Sequence, residues 1–191
     1  MSRRPAREVV QAWVVLKVDD PAAVSALTVA RRALAAGRDL TGLRRLRLFE
    51  LSGNLPPRPE VEELLHRSIQ FYNPHKEACL LRVRQEEAAP AEEGEHLVLV
   101  FERGGERRAA AERWWSHVTG QTIEVREGVV WALSFAPGAA AAAATADLAV
   151  LRDQAHGLLC NPHAQEYRLA AGEVPLPWLG PARARRVRSL P

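Results

Sequence analysis

The chain has 191 residues, of which 47% are hydrophobic and 26% charged, with a net charge of +3 and two cysteines. This is the balance of one folded domain or two small ones, not of a disordered chain, and it excludes a disulfide scaffold. No run of about 18 uncharged apolar residues occurs, which excludes a transmembrane helix, and the first eight residues lack the apolar stretch of a signal peptide, so a cytoplasmic location is expected.

Arg183, Arg185, Arg186 and Arg188 sit in the last dozen residues with no acid among them, so the rest of the chain sums to about −1. Positive charge gathered in a tail argues against a nucleic-acid-binding fold with a basic face, and leaves a phosphate or an acidic partner as what the tail could touch.

In chain order, Val9 to Val18 is rich in β-branched residues and predicts a mostly buried strand. Asp20 followed by Pro21 is a helix start, an acid at the N-cap and proline in the first turn. Val24, Leu27 and Leu34 then fall on one helical face, and Gly37 is the expected stop. Leu43 to Leu51 predicts a second strand; Leu46 and Leu48 share one face while Phe49 and Leu51 take the other, which means a bulge or burial on both faces. A proline-led helix carrying Val61, Leu64, Leu65 and Ile69 is expected to run to Asn73-Pro74, because the residue before proline is pushed out of the α region. Residues 78–83 predict a short strand, and residues 85–95, acidic with Ala, Pro and Gly, a linker.

The second half opens with a strand from His96 to Phe101. Gly104-Gly105 leads into a helix with Ala111, Trp115 and Val118 inward and Gly120 at its end; the glycine pair is a strand-to-helix turn, or an anion cradle on the helix amides. Residues 122–125 and 129–135 alternate around Arg126-Glu127-Gly128, as in a hairpin or a sharply bent strand. The alanine run 139–144 leads into a helical stretch through Leu148, Leu151, Ala155, Leu158 and Leu159, and residues 166–169 close the half as a strand.

The chain repeats one signature. Asn73-Pro74-His75 recurs as Asn161-Pro162-His163, 88 residues on, each copy after a helix-like segment and before a strand-like one, and the same offset carries the apolar run at Val9 onto that at Leu97. A shared offset marks an internal duplication. The expected architecture is therefore α+β: two tandem β-α-β(β)-α-β units, residues 1–84 and 96–171, joined by the linker 85–95 and followed by a Pro/Arg-rich tail 172–191. Four or so strands per unit would form antiparallel sheets with helices on one face, and the units would pack as a pseudo-dimer.

The second unit resembles the PurS family, the small accessory subunit of phosphoribosylformylglycinamidine synthase. The residues that carry the resemblance are Ile123 to Leu133, similar to the family's Val-Arg-x-Gly-Lys stretch with alternating apolar residues; Leu158-Leu159-Cys160-Asn161-Pro162, similar to its Leu-Leu-Ala-Asn-Pro; and Glu166-Tyr167-Arg168-Leu169, similar to the start of its last strand. The first unit matches more loosely, through residues 47–53 and Asn73-Pro74. Val129 stands where the family has Lys, and His75 and His163 stand where it usually has an apolar residue. The resemblance implies a role without chemistry of its own and without a cofactor. The chain would be an accessory component of an ATP-dependent amidoligase of purine synthesis, with the synthetase and glutaminase subunits as protein partners and neither nucleic acid nor membrane involved. A regulatory module that binds a small metabolite at the interface of its two units is the alternative.

The residues singled out are those of the two Asn-Pro-His motifs and, within the Val-Arg-x-Gly match, Arg126 and Gly128. No phosphate loop, Gly-x-Ser-x-Gly elbow or Ser-His-acid set is present. Cys160-x-x-His163 has metal-like spacing, but only pairing with Cys79 and His75 could complete four ligands, and a histidine ring bonded to a backbone carbonyl at the helix end is the plainer role. Glu62-Glu63 and Glu92-Glu93 read as solvated charge, and the cysteines as buried free thiols. Two tryptophans are candidate interface residues: Trp114, beside the core-facing Trp115, and Trp178, in an extended proline-rich segment that either packs back on the domain or engages a partner.

Overall fold

The computed structural model describes residues 8–104 and 107–179. The arginines of the tail and Gly105 of the expected anion cradle lie outside the described residues. The elements run β1 (Glu8–Leu16), α1 (Pro21–Ala33), β2 (Leu40–Gly53), α2 (Arg58–His66), β3 (Glu77–Arg82), β4 (His96–Glu102), α3 (Ala109–Thr119), β5 (Ile123–Phe135), α4 (Ala141–Ala149) and β6 (Gln165–Ala171). Each half thus reads β-α-β-α-β, with three strands rather than four. All six strands form one antiparallel sheet in the order β3-β1-β2-β5-β4-β6.

Several expected boundaries hold for the expected reasons. Asp20 caps α1, its carboxylate accepting from the Ala22 N–H at 2.8 Å, and Gly120 ends α3 in the left-handed conformation, φ 70°. β2 is buried on both faces along one strand, so its change of phase needs no bulge within residues 43–51.

Others move. The expected hairpin at Arg126-Glu127-Gly128 is one unbroken strand: β5 pairs with β2 from Leu40↔Phe135 to Gly53↔Ile123, and Gly128 stands opposite Leu48 with no turn. α2 stops at His66, short of Asn73. There the chain turns on Ser68, whose carbonyl accepts from Phe71 N at 3.2 Å; Phe71 goes into the core and Ile69 is left 86% exposed. α4 stops at Ala149, because Leu158 and Leu159 fold back to donate to the Leu148 carbonyl (2.9 and 3.2 Å). Val24 and Val118, expected inward, are exposed, and the small residues Ala23 and Ala30 let α1 lie close instead.

Side chains alternate across the sheet, and each face is apolar. On one face lie the helices, over two clusters. The first joins Val61, Leu64 and Leu65 of α2 to Ala111 and Trp115 of α3, above β1, β2 and the start of β5. The second joins Ala30 and Leu34 to Leu148 and Ala149 of α4, above β4 and the end of β5. Every helix pair therefore takes one member from each half of the chain, and neither half holds an apolar cluster made only of its own helices. The opposite face carries the third cluster, with Trp13, Leu48, Leu99 and Val130 among its members, and no helix among the described residues covers it.

Candidate functional site

The helix-free face is where the unusual side chains collect. Alternation from Trp13 and Leu48 places Gln11 and Glu50 on it, and across the ladder from Gln11 stands Arg82. All three are buried, within 3% exposure. Polar groups this deep need partners, and they find them in each other and in two irregular segments that cross the face.

The segment 84–95 comes first. Ala89 and Ala91 rest on the apolar cluster. Arg82 donates to the Glu87 and Gln85 carbonyls (2.7 Å each) and to Gln11 Oε1 (3.0 Å). Burial lowers the Arg82 pKa, with the carboxylates around it working the other way. Further along, buried Glu95 bonds Arg44 at 2.6 Å and raises its pKa, so the ion pair pins the end of the segment to β2.

The second segment, 172–179, follows β6. Trp178 is 2% exposed, tilted against Trp13 with ring centroids 6.3 Å apart. Leu179 lies over Gly128, where a Cβ would stand 3.0 Å from its Cδ2 and 2.8 Å from Leu99 Cδ1; the glycine is needed for room, not for a turn. Glu50 accepts from the backbone N–H groups of Trp178 and Leu179, the latter at 2.9 Å, and from Gln11 Nε2 at 2.8 Å. Gln11 Nε2 also donates to the Pro175 carbonyl at 2.9 Å. Gln85 accepts from Leu176 N at 2.8 Å and donates to the Val174 carbonyl at 3.1 Å. Arg168 donates to the Trp178 carbonyl, and Arg126, held at 2.5 Å by Glu124, donates to that of Leu179 at 3.4 Å.

Arg126, Gly128 and Trp178 thus converge on one segment, and of the two outcomes open to Trp178 it packs back on the domain. Trp114 is half-buried and meets the other half of the chain, edge-on to Phe71 at 6.3 Å. Gln11, Glu50, Arg82 and Gln85 escaped the sequence reading. Their signal was a glutamine inside the apolar run of β1 and a glutamate between Phe49 and Leu51 of β2.

The two Asn-Pro-His turns are built alike. Asn73 Oδ1 accepts from His75 N and Asn161 Oδ1 from His163 N, both at 3.0 Å. The Asn73 N–H reaches Glu77 at 2.6 Å, and that of Asn161 reaches Gln165 at 3.0 Å. The carbonyls of Pro74 and Pro162 each accept from a cation at the end of the neighbouring strand, Lys17 at 2.7 Å and Arg103 at 2.5 Å. The bond that fixes each histidine is its backbone N–H, not the ring-to-carbonyl contact expected. Asn73→Ala and Asn161→Ala should each lower stability by about 1 kcal/mol, the worth of one such bond, and the two losses should add in the double mutant because the turns are far apart; urea titration reads both.

The turns precede β3 and β6, opposite edges of the sheet and five strand spacings, about 24 Å, apart. Cys79 and His75 therefore do not meet Cys160 and His163, and among the described residues no group of three His, Cys, Asp or Glu could hold a metal. Both thiols are pushed up by burial, Cys79 to about 12. Neither should react with Ellman's reagent in the native protein at pH 8, and both should after denaturation. Because Cys79 stays protonated in the fold while an unfolded thiol ionises near pH 9, its contribution is full below that pH and is lost as pH rises from about 9 toward 12.

No helix among the described residues is long and apolar enough to cross a membrane. Comparison of the chain with protein-family models, curated proteins and solved structures gave no match.

Proposed function

We propose that the chain is a tandem duplication of a PurS-like unit whose halves pack as a pseudo-dimer, and that it acts as an assembly component of phosphoribosylformylglycinamidine synthase, bridging synthetase and glutaminase parts. The observation that carries the reading is the repetition itself. Outward from the central β2/β5 pair, the strands run β2-β1-β3 on one side and β5-β4-β6 on the other. The edge ladders end on Leu16↔Glu77 and Glu102↔Gln165, so Gln165 lies 88 residues after Glu77 and Glu102 lies 86 after Leu16. A slip of two keeps every side chain on its face. The paired Asn-Pro-His turns repeat the same hydrogen bonds at the offset of 88.

A duplicated unit of this kind presents, in one polypeptide, the surface that a symmetric dimer offers two partners. The test is reconstitution. The purified chain is mixed with the purified synthetase and glutaminase proteins of its source, and complex formation is followed by light scattering after size exclusion. The reading expects a three-component species that does not form without the chain. Three separately eluting proteins would sink it. A metabolite-dependent rise in Tm without any partner would favour the regulatory alternative.

A further inference from the structure

The helix-free face grips residues 174–179 by their backbone, and we infer that it is a peptide-recognition surface: a seat for an irregular, bent Val-Pro-Leu-Pro-Trp-Leu segment, with the chain's own copy as a tethered ligand. This goes beyond the assembly role and does not depend on it.

The segment joins no ladder of the sheet. Its bonds come from side chains of the body: Glu50, Gln11, Gln85, Arg168 and Arg126 between them meet seven backbone groups from Val174 to Leu179. Hydrogen bonds to the main chain, with pockets that take particular side chains, are how folded domains bind peptides; here the backbone bends over residues 176–179, so that the adjacent amides of Trp178 and Leu179 both reach Glu50. The anchors fit that mode: an aromatic ring packed on Trp13 and a leucine in the notch over Gly128. The two prolines bring no N–H to be desolvated.

Part of the seat is also held by bonds that do not use the segment. Gln11 is fixed by Glu50 and by Arg82, and Arg82 by the carbonyls of residues 85 and 87. The segment 84–95 crosses the same face between β3 and β4. The segment 174–179 follows β6 through Gly172, at φ 81°, and Glu173.

The test severs the tether in the full-length chain, with a protease site placed between Gly172 and Glu173. After cleavage the fragment should stay with the body at high concentration and exchange with a fluorescein-labelled synthetic peptide of residues 172–180, giving a saturable anisotropy isotherm. Glu50→Gln should weaken that binding roughly 10- to 100-fold, the worth of one or two charge-assisted hydrogen bonds. A peptide with Ala in place of the tryptophan should not compete. Three results overturn the inference: a fragment that leaves only when the body unfolds in urea, a body that loses its circular dichroism on cleavage, or a folded cleaved body that binds no labelled peptide. The first two make the segment ordinary core, and the third makes it an incidental cover.

Discussion

Trp115→Ala is expected to lower the unfolding free energy by about 3–5 kcal/mol, the usual cost of emptying a fully buried tryptophan site, and to do so for the whole molecule. Trp115 is 0% exposed on α3, in the second half of the chain. Its ring packs edge-on against Phe71 of the first half, centroids 6.4 Å apart. Val61, Leu64 and Leu65 of α2 belong to the same cluster. A cavity there removes support from α2 and α3 together, and through them from β1 and from β5. Urea unfolding followed by far-ultraviolet circular dichroism should show one transition moved to lower urea with an unchanged slope. Trp114→Ala should cost less, since that ring is only half-buried. A Trp115→Ala protein that unfolds in two steps, with the first half untouched, would show that the halves have separate cores.

Glu50→Leu is expected to free the C-terminal segment from the sheet. The leucine fits the space but accepts no hydrogen bond. Trp178 N and Leu179 N lose their acceptor, and Gln11 Nε2 loses one of its two, keeping the Pro175 carbonyl. At about 1–3 kcal/mol for each buried donor left unpaired, leaving them in place would cost about 3 kcal/mol or more, and departure of the segment becomes the lower-energy outcome. The face then exposes Trp13, Leu48, Leu99 and Val130. The expected signs are a red shift in tryptophan emission, binding of an apolar dye such as ANS, and a tendency to associate. Glu50→Gln keeps one acceptor oxygen and should fall between. Native emission and no dye binding in Glu50→Leu would mean that packing of Trp178 and Leu179 alone holds the segment.

The parts of the fold legible in the sequence were those fixed by short-range chemistry. Asp20-Pro21 forces a helix start wherever it sits before an apolar face, and Asn73 and Asn161 each close a turn with their own side chain. The repeat of that turn was legible too, and both copies make the same bond from the asparagine side chain. What was illegible depended on contacts distant in the chain. Gly128 looks like a turn residue until Leu179 is seen above it. Ile69 continues the helical pattern of α2, and only the turn at Ser68 takes it out to solvent. The face of burial on α1 followed the small residues, because close approach to the sheet mattered more than side-chain size. Gln11 and Glu50 sit between apolar neighbours as apparent exceptions; their purpose appears only once residues 174–179 lie across them. The sequence predicts separate antiparallel sheets, one for each unit, whereas the six strands form a single sheet and the helices of the two halves interlock over it.

Native-state amide hydrogen exchange in low denaturant tests that interlocking most directly. Because each helix-side cluster draws on both halves, the slowest amides of β1 and β2 should exchange with the same opening free energy, and the same denaturant dependence, as those of β4 and β5. Two plateaus, with one half opening several kcal/mol below the other, would contradict the shared cores.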